Sequence, residues 1–137
     1  MQTAEVRAFK NELRNYNYYL HRVATLDESI EFIYDRLGGV RGIDPSKEPL
    51  HSPPDKDLEY KLRDDISRLE ANKKLLENKI AFIEQILGRM ETSLREAVIK
   101  VYANGKPISI VCHDLYVSPS GLAKKINNEI KKALTSL

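Results

Sequence analysis

The fold is decided by residues 58–91, LEYKLRDDISRLEANKKLLENKIAFIEQILGRME. Apolar positions alternate here at spacings of four and three residues, with one charged interruption. The positions are Leu62, Ile66, Leu69, Lys73, Leu76, Ile80, Ile83, Leu87 and Met90. This heptad repeat predicts a helix roughly 50 Å long, at ~1.5 Å per residue, with one apolar side. Because such a helix is unstable alone in water, the repeat also predicts a partner helix.

Two kinds of partner helix would bury the apolar side of this repeat. One is a helix of the same chain, folded back as an antiparallel hairpin, and the other is the same helix from a second copy. Lys73 either fixes the register of the pair or extends its amine along the surface into solvent. We expect a homo-oligomer, in the simplest case a dimer, formed through the Leu62–Met90 seam.

Residues 1–37 carry a second helical pattern. Apolar residues recur every three or four positions from Phe9 to Leu37, which corresponds to about eight turns. Gly38 and Gly39 follow, and glycine commonly ends a helix. The segment is therefore predicted to be an N-terminal helix with one apolar side.

Residues 38–57 separate the two long helical segments. This stretch, GGVRGIDPSKEPLHSPPDKD, holds four prolines and three glycines. Because proline lacks the N–H that a helix needs and clashes with the preceding turn, a continuous helix is excluded. We predict a partly extended linker.

Residues 92–137 follow a different pattern, which predicts three short helices. Ser93 and Glu96 match a capping box at the start of the first helix. Asn104 and Gly105 end it. A second, apolar helix is predicted near residues 108–115, with Pro107 at its start.

The last helix has clear boundary signals. Ser118 is placed as the N-cap and Pro119 as the first helical residue. An apolar stripe then repeats at helical spacing. It consists of Leu122, Ile126, Ile130, Ala133, Leu134 and Leu137.

The expected fold class is all-α, with a long antiparallel helical hairpin or coiled coil followed by a small C-terminal three-helix domain of the helix-turn-helix type. Val111, Cys112 and Leu115 provide the inner face of the first helix of that motif, and Cys112 is small enough to let the two helices approach. Tyr116 stands in the turn where glycine is commonest. It therefore adopts a left-handed conformation at some cost, or the turn is of another kind.

The charge of the chain is unevenly distributed. Residues 1–57 have a net charge of −2, residues 58–91 are neutral, and residues 92–137 carry seven Lys/Arg against three Asp/Glu, a net charge of +4. The total is only +2. Positive charge concentrated in the last third favours contact with a polyanion there.

The side chains of the last helix that do not face the core are short, amide-bearing or cationic, and such side chains suit contact with the major groove of DNA. The residues predicted to bind DNA are Ser118, Ser120, Lys124, Lys125, Asn127, Asn128, Lys131 and Lys132. The alternative interpretation is the solvated face of an ordinary C-terminal helix.

Roles within this set follow from side-chain chemistry. The two serines and the free N–H groups at the helix start suit phosphate oxygens. Lys124 reaches a guanine edge or a phosphate, and Asn127 or Asn128 can pair bidentately with adenine. Lys131 and Lys132 are assigned to phosphates.

No residue pattern indicates catalysis, a cofactor or a metal. His21, His51 and His113 are scattered, and Cys112 next to His113 is poor spacing for two ligands of one zinc. Phosphate-binding glycine motifs and zinc-protease motifs are absent. The chain is therefore expected not to be an enzyme. No apolar run approaches ~18 residues, so we expect a soluble protein without a membrane partner.

The order of these parts resembles that of small phage-encoded regulators of late-gene transcription of the ArpU/RinA type. The resemblance is carried by LREAVIKVYANGKPISIVCHDLYVSPSGLAKKINNEIKKAL (94–134), behind a long helix that follows VRGIDPSKEPLHSPPDKDLEY (40–60). It implies a C-terminal helix-turn-helix like region 4 of sigma factors and a phage or prophage origin in a Gram-positive bacterium. It also implies action in the cytoplasm of the bacterial host, with double-stranded DNA as partner and RNA polymerase as a second candidate partner.

Two other functions remain open. A DNA-packaging adaptor, such as a small terminase subunit, also joins a helix-turn-helix to helical oligomerisation elements, although its DNA-binding part usually comes first. A helical interaction protein that does not bind DNA would use the long hairpin to contact a partner and the last domain only as structure.

Overall fold

The structure, a computed structural model, describes residues 3–41 and 56–136, with the side chains of all of these except residues 39–41. All regular elements in these ranges are helical, which confirms the all-α class. They are α1 (Ala4–Arg14), α2 (Tyr16–Arg41), α3 (Lys56–Gly88), α4 (Thr92–Val98), a π-helical turn (Ile99–Ala103), α5 (Ile108–Asp114) and α6 (Pro119–Thr135). None of the described helices combines the length and apolar character needed to cross a membrane.

The chain divides into two compact units. One comprises Met1–Leu20 and Asn78–Leu137, and the other comprises His21–Glu77. Helices α2 and α3 therefore supply residues to both units. The structure groups α1 and the last part of α3 with α4, α5 and α6, whereas the domain predicted from the sequence comprises residues 92–137 alone.

In the His21–Glu77 unit, α2 and α3 pack through their apolar sides. Ile30 and Leu37 of α2 and Leu62 and Ile66 of α3 are buried together. Partly buried residues extend this cluster; they are Ile33, Leu58 and Leu69. The first half of the heptad seam is thus covered by a helix of the same chain.

A polar contact continues the α2–α3 pairing. Lys73 Nζ lies 2.5 Å from Asp27 Oδ1 of α2 and 3.5 Å from Glu77 Oε1. The hydrogen bond to Asp27 raises the pKa of Lys73. The hydroxyl of Tyr34 on α2 donates to the Glu70 carboxylate on α3 at 3.3 Å. Tyr34 follows Asp27 in α2 while Glu70 precedes Lys73 in α3, so the two helices run in opposite directions. Lys73 is therefore paired across the two helices, in keeping with the interpretation that it fixes their register.

The predicted continuous first helix is interrupted at Asn15. Its backbone has φ −96° and ψ 1°, and its N–H donates to Glu12 O at 3.1 Å instead of to the carbonyl four residues back. The side-chain amide of Asn15 donates to Asn11 O at 3.1 Å. Asparagine competes for backbone hydrogen bonds in this way, which is why it weakens helix interiors.

The predicted helix end at Gly38–Gly39 is also wrong, because α2 continues to Arg41. Gly38 is exposed, with open space where a Cβ would stand. A glycine in a helix costs only about 1 kcal/mol relative to alanine, so it weakens the helix without ending it. Residues 42–55 of the predicted linker lie outside the described residues, and Lys56 and Asp57 already belong to α3.

Helix α3 ends at Gly88, three residues earlier than predicted, and Arg95 closes that end. Its guanidinium donates to the carbonyl oxygens of Leu87 at 2.8 Å and Met90 at 3.0 Å. The last carbonyls of a helix lack partners within it, and a basic side chain is a favoured donor to them. Arg95 thus connects α4 to the end of α3.

We predict that Asp27 and Lys73 are energetically coupled. Replacing each by alanine, singly and together, should show a small favourable interaction, as is usual for partly exposed ion pairs. The measurement is a double-mutant cycle of urea unfolding, which subtracts the packing that each side chain loses on its own. The matched control pairs Asp27→Ala with Lys74→Ala, an exposed neighbour on α3. Equal coupling in both cycles would contradict the register role.

Candidate nucleic-acid interface

The start of α6 is built as the sequence predicts. Ser118 is the N-cap, and its hydroxyl oxygen accepts a hydrogen bond from the N–H of Gly121 at 3.0 Å. Pro119 is the first helical residue. A Cβ at position 121 would lie 2.9 Å from Ser118 Oγ, so the absence of a side chain there allows the cap to close tightly.

The turn between α5 and α6 has a Schellman-type geometry. The N–H of Val117 donates to Cys112 O at 3.2 Å, and the N–H of Tyr116 donates to His113 O at 3.3 Å. Tyr116 occupies the position where glycine is usual, with φ +55°. Of the two predicted possibilities, the left-handed conformation is therefore correct. Tyr116 is 96% exposed, so packing against the residues that the structure describes does not compensate this backbone cost.

The inner side of α6 is fully buried. Leu122, Ile126 and Ile130 are completely inaccessible, and Ala133 is nearly so. They pack where α6 meets α1, α4 and α5. The predicted stripe is confirmed at these positions, while Leu134 is half-buried and Leu137 lies outside the described residues.

Most of the predicted DNA-binding residues lie on the outer side of α6 or at its start. The exposed ones are Ser118, Ser120, Lys124, Lys125, Asn128, Lys131 and Lys132. Lys124, Asn128 and Lys131 follow the spacing of four and three residues that places side chains on one side of a helix. That side is opposite the buried stripe. The structure thus brings two amines and one amide together along about two turns of helix.

Asn127 lies elsewhere, on a half-buried side of α6 near α1. Its Oδ1 accepts a hydrogen bond from Lys10 Nζ. Lys10 is only 5% exposed, and its amine stands 5.0 Å from the centre of the Tyr102 ring, a cation–π distance. Burial, followed by the nearby Arg14 guanidinium, lowers the pKa of Lys10. This contact joins α1, the π-helical turn and α6.

Lys10 is not among the residues predicted from the sequence to have a special role, although its position carries a signal. The buried residues of α1 are Val6, Phe9, Lys10 and Leu13, which is the spacing of a core-facing stripe. A lysine inside that stripe is either a defect or a buried charge with a designated partner. Its partners, Asn127 and Tyr102, are about a hundred residues away, so the sequence around Lys10 does not indicate them.

One edge of α6 is acidic. The carboxylate of Glu129 accepts from the backbone N–H of Glu91 at 3.2 Å. Glu91 is the N-cap of α4, so the predicted capping box at Ser93 is wrong. Ser93 instead donates its hydroxyl hydrogen to the Glu91 carboxylate at 2.6 Å, which lowers the pKa of Glu91, with a smaller contribution from Lys125. Lys125 thus stands beside two carboxylates, and its charge is partly compensated.

Cys112 lies in the core between α5 and α6. It is 2% exposed, and its thiol donates to Ser109 O at 3.2 Å. The interpretation as a small core residue is confirmed. Within residues 3–41 and 56–136, no group of three or more His, Cys, Asp or Glu residues is placed to hold a metal ion.

No family model, curated protein or solved structure matches this chain. The features of the molecule that bear on function are therefore the geometry of α6 and the chemistry of its exposed residues.

We predict that Tyr116→Gly stabilises the protein by about 0.5–1 kcal/mol. The left-handed conformation costs a non-glycine residue roughly 1–2 kcal/mol, which glycine avoids. Glycine also loses more conformational entropy on folding, and this offsets about 0.5–1 kcal/mol of the gain. The measurement is chemical denaturation. Tyr116→Ala is the control, since it removes the same exposed side chain but keeps the strain. Equal stabilisation by both would mean that the strain is not responsible.

We predict that Lys10→Ala lowers the free energy of unfolding by about 1–3 kcal/mol, because it leaves the amide of Asn127 without its charged donor. Arg7→Ala, at an exposed position of the same helix, should change it by less than about 0.5 kcal/mol. Thermal and urea unfolding of the two variants provide the comparison. If they are equally stable, Lys10 does not hold α1 to α6.

Proposed function

We propose that this chain is a sequence-specific DNA-binding regulator of late-gene transcription in a phage or prophage. In this proposal α5 and α6 form a helix-turn-helix, α2 and α3 form a helical hairpin, and α6 enters the major groove. The observation that carries the proposal is the exposed cationic and amide side of α6, opposite a completely buried stripe.

The dimensions and side chains of α6 fit this role. The major groove is about 12 Å wide and admits one α-helix. Lys124 and Asn128 lie one turn apart near the start of α6, where recognition helices contact bases. We assign Asn128 to adenine and Lys124 to a guanine edge. Lys131 and Lys132, further along the helix, are assigned to phosphates.

The start of α6 offers a phosphate contact. Pro119 has no N–H and the N–H of Gly121 is capped by Ser118, which leaves the N–H of Ser120 for an external acceptor. The positive end of the helix dipole favours an anion there. Tyr116 is fully exposed on the turn just before it, and its hydroxyl can donate to the same DNA strand. Strained backbone of this kind is found preferentially at functional sites.

Asn127 has a structural role in this proposal. Since its side chain receives the Lys10 amine, it holds α1 against α6 and leaves base reading to Asn128. Lys125, beside Glu91 and Glu129, contributes less to phosphate binding than the other three lysines of α6. RNA polymerase as a second partner depends on the family resemblance alone.

The deciding experiment has two steps. Selection from random duplexes finds a preferred site, and footprinting on the phage or prophage genome that carries the gene locates it. Protection at a late promoter supports the proposal. Protection at a packaging site instead indicates a packaging adaptor, and absence of DNA binding indicates a protein-interaction role.

We predict that Lys124→Ala and Lys131→Ala each weaken DNA binding, and that Lys131→Ala also reduces the slope of log K against log salt. A lost phosphate contact removes about one unit of slope, whereas a lost guanine contact weakens binding only to the preferred sequence. Fluorescence anisotropy over a salt series, on selected and scrambled duplexes, separates these cases. Lys61→Ala, an exposed lysine on α3, is the matched control. Wild-type binding by both α6 variants would exclude α6 as the groove helix.

A further inference from the structure

The heptad seam is largely used within the chain. Leu62 and Ile66 are buried against α2, and Lys73 pairs with Asp27. Further along α3, Ile83 and Leu87 are also buried. A second copy of α3 therefore cannot pack along this seam unless these contacts are broken. If the chain associates with itself, another surface must be responsible.

One surface of the His21–Glu77 unit has the required character. A groove of about 410 Å³ lies along α2 and α3, and we call it the α2 groove. Phe32, in its lining, is 63% exposed. The lining residues are Glu28, Ser29, Phe32, Ile33, Arg36, Leu62 and Asp65. A single exposed aromatic side chain is common on protein surfaces, so the arrangement of charge around it has to decide whether it is an interface.

That arrangement is self-complementary. Glu28, Phe32 and Arg36 are spaced four residues apart on α2, so they share one side of the helix. The carboxylate and the guanidinium are each about 6 Å along the axis from the phenyl ring, one on either side. Both charged residues are exposed, and within the part of the chain that the structure describes neither forms an ion pair.

If a two-fold axis passes through Phe32, the Glu28–Phe32–Arg36 order of one copy is complementary in charge to that of the second copy. Placing a second copy of α2 antiparallel brings Glu28 of each chain opposite Arg36 of the other, and the two Phe32 rings together at the centre. A parallel arrangement would instead place like charges opposite one another. Self-complementarity about a two-fold axis is the requirement for a symmetric dimer interface.

We propose that a second copy of this chain docks antiparallel on the α2 groove, so that the protein is a dimer in which Phe32 is the central anchor and Glu28 and Arg36 set the direction. An aromatic anchor at the centre with charged residues at the rim is the usual anatomy of such interfaces. This dimer does not depend on DNA binding.

The first test compares two exposed aromatic residues of the same unit. Sedimentation equilibrium of the full chain should show a reversible dimer, and Phe32→Ala should raise its dissociation constant at least about tenfold. Tyr60→Ala removes an aromatic side chain that is 77% exposed but lies outside the groove lining, and should leave the constant unchanged. A wild-type chain that stays monomeric at high concentration, or equal constants for the two variants, would overturn the proposal.

The second test uses charge reversal and does not depend on removing the anchor. Glu28→Arg alone and Arg36→Glu alone each place like charges together twice in a homodimer, so each should be largely monomeric. A mixture of the two variants pairs opposite charges at both places and should form a heterodimer. The double variant should dimerise like the wild type. Circular dichroism checks that each variant is folded, and failure of the mixture to associate rules out the antiparallel pairing.

Discussion

The burial of three side chains on α6 is the contact on which the rest of the C-terminal arrangement depends. Leu122, Ile126 and Ile130 are fully inaccessible where α6 meets α1, α4 and α5. Each contributes roughly 1.5–3 kcal/mol relative to exposure. Because side chains three and four residues apart share one side of a helix, fixing this stripe also fixes the opposite one. Lys124 and Asn128 are exposed for that reason.

Two features close to α6 are unfavourable in free energy. Tyr116 has a left-handed backbone in the turn before it, without a packed side chain to compensate. Lys10 is a buried amine, satisfied by the Asn127 oxygen and the face of the Tyr102 ring. The buried amine attaches α1 to the C-terminal helices. The strained turn places an exposed phenol beside the start of α6.

Local chemistry was predictable where the signal is short in sequence. The Ser118 cap, the helix end before Gly105 at φ +70°, and the left-handed possibility at Tyr116 depend on neighbouring residues. Predictions failed where a residue distant in sequence, or a small energy difference, determines where a helix begins or ends. The Glu129 carboxylate takes the N–H of Glu91, and α4 then begins without the Ser93 cap.

The sequence by itself determined that the described chain is helical, which side of each long helix is apolar, and that cationic and amide residues occupy one side of α6. These properties follow from periodicity and capping, which act over a few residues. Only the tertiary structure decided that α2 covers the first half of the α3 seam, that α1 joins the C-terminal unit, and that Asn127 receives Lys10. The physical reason is that an apolar stripe requires burial but is indifferent to which apolar surface covers it.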